Sequence, residues 1–385
     1  MKKIIVFFGV LMLLLSVHPT AFAESNAQEC SFSEYSADEL YEAADIDSLY
    51  ERLPEDVKDS LDSMGVNPVL KGDVSRLSFT SVISEILSIA GDESKTVFMS
   101  LPMIVAVLLI YSLMDGFSHG LTNNTMTEVL SVVSALCIAC ALVVPATKII
   151  ESANNAVAVA SDFMLAYIPV MVAVLISCGK TLSGSGYYSV MIMAAEGIAQ
   201  LSSRVISPML NVFLGVSICE GIVPQIRLQS LTAMFSKTIK WMLSFSFTVF
   251  SAFLTFKTLI TASVDNVSTR AVRYTMSSFI PVVGTALSEA YRTVQGSVNI
   301  LKNGVGVFVI FAVCAVFLPI VIRLLIWLFT IGICKTFAQM MNLITPEHML
   351  TGISTVLSVL LAVILCVMAL FIISTALIVT AGGYS

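Results

Sequence analysis

From Val97 onward the chain is a succession of long apolar runs broken by short polar stretches, and this pattern limits its possible folds more than any other feature. The runs lie near 97–117, 128–147, 156–178, 187–203, 205–223, 241–262, 304–322, 324–341 and 353–380. Each approaches the roughly 20 residues that an α-helix needs to cross a hydrocarbon core about 30 Å thick. Only helices and closed barrels satisfy every backbone N–H and C=O inside a bilayer, and runs of this length without alternation specify helices. Composition agrees: 57% of residues are hydrophobic and 12% charged, against about 25% charge in soluble domains. A soluble enzyme of ordinary make-up is excluded.

The number of spans depends on two pairs of runs. Arg204 separates 187–203 from 205–223, and Arg323 separates 304–322 from 324–341. Each arginine marks either a tight hairpin, a re-entrant half or the snorkelling end of a tilted helix. The expected fold is therefore all-α: a polytopic membrane helix bundle of seven to nine spans. Lys and Arg fall in alternate connections without a useful bias, so orientation of the later spans is left open.

Ahead of the bundle, two further segments are expected. Residues 1–23 read as a cleaved signal peptide, with Lys2 and Lys3 ahead of an apolar core from Ile4 to Val17 and Ala21-Phe22-Ala23 as the cleavage site. Cys30 is read as a lone cysteine, because Ala27-Gln28-Glu29 does not suit lipid attachment. Residues 24–96 form a small acidic helical exported segment, with 17 acids and 5 bases, whereas residues 97–385 hold 9 acids and 13 bases. Within it, Pro54 opens a short amphipathic helix that carries Val57, Leu61 and Met64 and stops at Gly65. A second runs from about Ser78 to Ala90, with Phe79, Ile83, Ile86 and Leu87 on one face and Gly91 after its end. Some 70 residues with few large aromatics make a poor core alone, so these faces are expected to pack on the membrane domain or on another protein, the alternative being a solvated acidic spacer.

Residues 264–303 interrupt the membrane helices of 97–263 and 304–385. Leu287, Ala290, Val294, Val298 and Leu301 recur at helical spacing with Glu289, Arg292, Asn299 and Lys302 between them, an amphipathic pattern too polar to span. Before it, Pro281 and Gly284 break the helix in Phe279-Ile280-Pro281-Val282-Val283-Gly284, giving either a re-entrant element or an interfacial elbow. Pro281, Gly284, Glu289 and Arg292 are the candidate assembly residues.

Chemistry-bearing motifs are sparse. Gly179-Lys180-Thr181 lacks the earlier glycine of a phosphate-binding loop, since position 174 is Val174. Cys137 and Cys140 have C-x-x-C spacing but no second pair or histidine to complete a zinc set, and they are read as packing residues. No catalytic, cofactor or metal site is expected, and no nucleic-acid partner. What stands out is charge inside apolar runs, which costs about 2.5–3.5 kcal/mol per group at the bilayer centre. Asp162, Glu196 and Glu220 are the acids and Arg204, Lys257 and Arg323 the bases. Asp162, Glu196, Arg204, Glu220 and Arg323 form either a polar path or interhelical pairs. Small residues at Ala156 and Ala160, and at Ala195 and Ala199, suit close helix approach.

The signal peptide, the acidic segment, the multispan body and especially Val264-Asp265-Asn266-Val267-Ser268-Thr269-Arg270 followed by Phe279 to Ala290 resemble the stage III sporulation protein AE family. The resemblance covers nearly the whole chain, and the Pro-Val-Val-Gly segment is its most specific part. It implies a noncatalytic multipass subunit of a secretion-like channel complex joining mother cell and forespore, required for endospore development. It places the chain in the mother-cell membrane around the forespore, with residues 24–96 in the intermembrane space. Implied partners are the lipid bilayer and other membrane and ring-forming subunits, with a cytoplasmic motor ATPase and a forespore-side partner met indirectly. A permease or secondary transporter working through Asp162 and Glu196 is the second reading, although no inverted repeat is evident. An intramembrane protease or lipid-modifying enzyme lacks a paired catalytic constellation.

Overall fold

The computed structural model describes residues 46–64, 79–119, 124–177, 180–222, 229–279 and 284–381. The expected signal peptide, Cys30 and the Ile280–Val283 stretch with Pro281 lie outside the described residues. Among the described residues every regular element is helical: α1 (Ile46–Glu51), α2 (Glu55–Ser63), α3 (Phe79–His119), α4 (Asn124–Ser177), α5 (Thr181–Leu201), a five-residue π-helical turn (Ser202–Ile206), α6 (Ser207–Ile222), α7 (Gln229–Phe279), α8 (Gly284–Met340) and α9 (Ile344–Ala381). This is an all-α membrane bundle.

Six helical segments among the described residues are long and apolar enough to cross a membrane: Ser81–Met114, Ala135–Ser177, Thr181–Cys219, Ser230–Val272, Val298–Met340 and Ile344–Thr380. That is fewer than the seven to nine spans expected, because pairs of apolar runs join into single helices. α4 carries 128–147 and 156–178 without a break, although Lys148, Glu151, Asn154 and Asn155 lie between them. α8 runs through Arg323, and α5 passes Arg204 through the π turn into α6. A helix satisfies its backbone internally whatever its side chains, so a polar residue alone does not end it. Pro102, Pro145, Pro169 and Pro319 also sit inside these helices. Each removes one backbone bond and favours a kink, a defect that neighbouring helices tolerate in membranes.

The region 264–303 is shared between two long helices. α7 continues through Asp265 to Phe279, and 284–303 form the first turns of α8. Gly91, expected to end a short helix, lies inside α3, which runs unbroken from the acidic segment into the first apolar run.

α8 and α9 occupy the centre, 67% and 61% buried over their most apolar windows, whereas α7 is 11% buried over its own. Phe308, Phe317, Val356, Leu357 and Phe371 are among their fully buried side chains. In a bilayer such helices associate by close van der Waals packing. Two glycines show how close: a Cβ on Gly352 of α9 would lie 2.8 Å from Ser217 Cβ of α6, and one on Gly306 of α8 would collide with Val379 of α9. Ala160 of α4 and Ala195 of α5, two of the small residues expected at interfaces, are fully buried.

The α8–α9 turn is set by a Schellman pattern, with Leu343 N–H donating to Ala338 O at 2.9 Å and Asn342 N–H to Gln339 O at 3.0 Å. Asn342 takes φ 57°, a left-handed conformation that asparagine accepts more readily than most residues. The turn reverses the chain and sends α9 back along α8.

The acidic segment is docked on the bundle. α2 begins after Pro54 as the sequence suggests and packs against α3 and α8, while α1 packs against α4. Leu49, Leu53, Val57, Leu61 and Met64 are all buried.

Candidate functional site

The polar feature that joins the most distant parts of the chain is centred on Arg323. Its apolar neighbours Ile322 and Leu324 are buried, so α8 would carry a desolvated charge unless another element supplied a partner. α3 supplies it. Arg323 Nε donates to Glu93 Oε2 at 2.7 Å and Nη2 to Oε1 at 2.6 Å, while Nη1 reaches Ser152 Oγ of α4 at 3.4 Å. The side chains are 37% and 14% exposed for Arg323 and Glu93. This two-pronged fork is the strongest geometry for a guanidinium and a carboxylate. The sequence singled out Arg323 but not Glu93, which had been grouped with the exported segment; only the continuity of α3 brings it to mid-bundle.

A second carboxylate secures a helix start. Asp265 of α7 is 1% exposed, and its oxygens accept the N–H groups of Leu182 at 3.2 Å and Ser183 at 2.6 Å. The first turn of α5 otherwise leaves these donors unsatisfied, since Lys180 makes no side-chain cap. An acid at a helix N-terminus also opposes the positive end of the macrodipole. Asp265 was legible in the sequence only as part of a family-like run. Its role as a cap depends on a contact across 82 residues.

Near the π turn, Ser202 Oγ lies 3.3 Å from Asn154 Oδ1 of α4. An inserted π turn widens the helix and redirects the side chains that follow, and here it leaves Arg204 exposed.

The other candidate residues are dispersed. Asp162 on α4 is exposed, and Glu196 on α5 is exposed with Gln200 Nε2 at 3.4 Å from its Oε2. Neither forms an ion pair with another described residue, and the two are not hydrogen-bonded to each other. Glu289 is exposed on α8, and Gly284 is that helix's first residue. The side chains of Glu220 and Arg292 lie outside what the structure describes. Cys137 and Cys140 are exposed on α4 rather than packed. Among the described residues no group of three or more His, Cys, Asp or Glu side chains could hold a metal ion.

Long apolar helices packed around α8 and α9, with charge admitted where a partner or a surface receives it, define a multi-pass α-helical membrane protein. Residues 62–382 match the family model described as Stage III sporulation protein AE. The chain belongs to that family. It is similar to the Stage III sporulation protein AE of Bacillus subtilis (strain 168), with 24% identity over 235 residues, 61% of this chain and 59% of the relative. The match thus spans about three fifths of the relative's length. No solved structure matches.

Proposed function

We propose that this sporulation-family membrane protein is a noncatalytic subunit of a secretion-like complex that connects the mother cell to the forespore. In this reading a signal peptide directs export of the N-terminal region, the chain sits in the mother-cell membrane around the forespore, and its acidic segment faces the intermembrane space. Family membership carries the proposal. Two features of the bundle support it. Asp162 and Glu196 are exposed on separate helices instead of converging on a buried path, which favours an assembly role over a carboxylate-driven permease. The acidic helices α1 and α2 are held against the bundle by buried apolar side chains, which gives the chain a fixed acidic face for partners.

The test is deletion of the gene in its native host and complementation with the intact gene or with an Asp162→Asn, Glu196→Gln double variant. Spore formation is scored, and the tagged protein is captured from sporulating membranes. Rescue by both genes, with other membrane subunits and an ATPase captured alongside, supports the assembly subunit. Failure of the double variant at normal protein level, with the protein captured alone, supports a permease.

A further inference from the structure

The longest helices exceed the thickness of a membrane. α4 has 54 residues and α8 has 57, about 81 and 86 Å at 1.5 Å per residue. A bilayer offers roughly 30 Å of hydrocarbon, or about 40–45 Å with its headgroups. A large part of each helix must stand outside, and the outward-facing side chains distinguish the two halves.

Polar contacts mark one level across the bundle. Arg323 of α8 meets Glu93 of α3 and Ser152 of α4, and Asn154 of α4 meets Ser202 at the start of the π turn. On α7 this waist falls near Phe245, because Thr261 packs on Gly186, 16 residues before Ser202, and Phe235 stacks on Phe213, 11 residues after it. Lys95, Lys148, Arg204 and Lys240 are exposed around the waist, on α3, α4, the π turn and α7. Lys95 also holds Asp92 at 2.8 Å. Trp241, beside Lys240, is 65% exposed. Lysine, arginine and tryptophan are the side chains that collect at a membrane surface.

Above the waist lie the α3–α4, α6–α7 and α8–α9 connections. On that side no Asp, Glu, Lys or Arg occurs for 19 residues of α3 (96–114), 19 of α4 (129–147) and 15 of α6 (205–219), about 28, 28 and 22 Å of helix. Asp115, Glu128 and Glu220 stand at the far ends of these intervals. Met99, Met103 and Leu113 of α3 and Val129, Leu136 and Val144 of α4 face outward. Below the waist the same α4 turns Glu151, Asn155 and Asp162 outward. α5 turns out Ser185, Ser189, Glu196 and Gln200 beside Tyr188 and Met193. Asp162 and Glu196 lie about 9–15 Å below the waist, counted along their helices. A carboxylate at that depth in hydrocarbon is costly and too short to reach the surface, whereas Lys237 and Lys335 above the waist have stems that extend towards a border. α7 turns apolar side chains outward on both sides, Met234 above and Phe256 below, and does not choose between the halves.

We propose that the bilayer holds only the upper half of the bundle, with Lys95, Lys148, Arg204 and Lys240 at the headgroups, and that the half with Asp162, Glu196 and α5 stands in water. The hydrocarbon then covers the apolar outer faces of α3 and α4 above the waist. α3 begins in the lower half, so the acidic segment and the water-exposed half share one side of the membrane. The inference is independent of the channel reading, because it concerns one chain and its lipid.

The purified full chain is placed in phospholipid nanodiscs, which leave both membrane faces open to water, and treated with a charged maleimide. Cys137, exposed on α4 above the waist, is the native probe. Asp162→Cys and Glu196→Cys, both at exposed positions, are added singly. Peptide mass spectrometry gives each labelling rate relative to the unfolded chain. Cys137 should react at least about tenfold more slowly than either introduced cysteine, since the hydrocarbon excludes both the reagent and the water in which a thiolate forms. Fast labelling of Cys137 with slow labelling at 162 and 196 would place the bilayer on the lower half. Slow labelling at all three would cover both halves, and fast labelling at all three would expose both. Each of these three results overturns the proposal.

Discussion

Arg323 of α8 and Glu93 of α3 meet in a two-pronged ion pair, with N···O distances of 2.6 and 2.7 Å across 230 residues of sequence. The pair fastens the helix that leaves the acidic segment to the central helix of the bundle. Removing one partner leaves the other charge half-buried and unpaired. Glu93→Gln or Arg323→Gln is expected to destabilise the protein by about 1.5–3 kcal/mol, the range for hydrogen bonds to charged groups. Replacing both by apolar residues, Glu93→Leu with Arg323→Met, should cost much less, since no charge is stranded. Unfolding in mixed micelles checks both, and additive losses in the double variant would argue against coupling.

Asp265 caps α5 from another helix. Asp265→Ala should lower stability by about 1–2 kcal/mol, as for loss of a helix cap, whereas Asp265→Asn keeps an acceptor oxygen and should lose less. The same unfolding assay ranks the two. Hydrogen exchange at Leu182 and Ser183 should accelerate in the alanine variant while exchange in α9 stays protected.

Gly352 is the point where α9 passes closest to α6. Gly352→Ala places a methyl group against Ser217, and overpacking of this kind costs about 1–3 kcal/mol. A second change, Ser217→Gly, should recover most of the loss. Thermal denaturation of the single and double variants checks this, and failure of Ser217→Gly to rescue would show that the contact is not the cause.

Tyr50 lies outside the membrane helices, and its phenol is pushed up to about 12 by burial first, then by hydrogen bonding to Asp62 and by the nearby Asp62, Asp59 and Glu55 carboxylates. Because the neutral phenol is favoured in the folded chain, its contribution is intact below about pH 10 and is lost as pH rises from there towards 12. The difference between spectroscopic titrations of the wild type and Tyr50→Phe should correspond to one tyrosine ionising near pH 12. A wild-type titration unchanged by Tyr50→Phe would contradict the assignment.

The α2 helix after Pro54, its apolar face that needed cover and the all-helical membrane class were legible in the sequence, because each depends on residues near one another in the chain; the second face expected to be covered is not, since Ile83 and Leu87 of α3 are exposed. The break expected at Gly91 is absent, and of the alternatives open at Arg204 and Arg323 neither a hairpin nor a re-entrant half is present, Arg204 lying in a π turn between α5 and α6 and Arg323 inside α8. A local pattern registers a charge or a glycine but not the partner that allows a helix to continue past it. The same limit hid Glu93 and Asp265, whose roles appear only when a distant helix comes alongside.

The sequence by itself determined that the chain is a helical membrane protein, since apolar runs of bilayer length leave the backbone no other way to satisfy its hydrogen bonds. Tertiary structure decided how many runs join into one helix, which charges are paired and which are left at the surface. Those outcomes depend on the electrostatics and close packing of elements up to 230 residues apart.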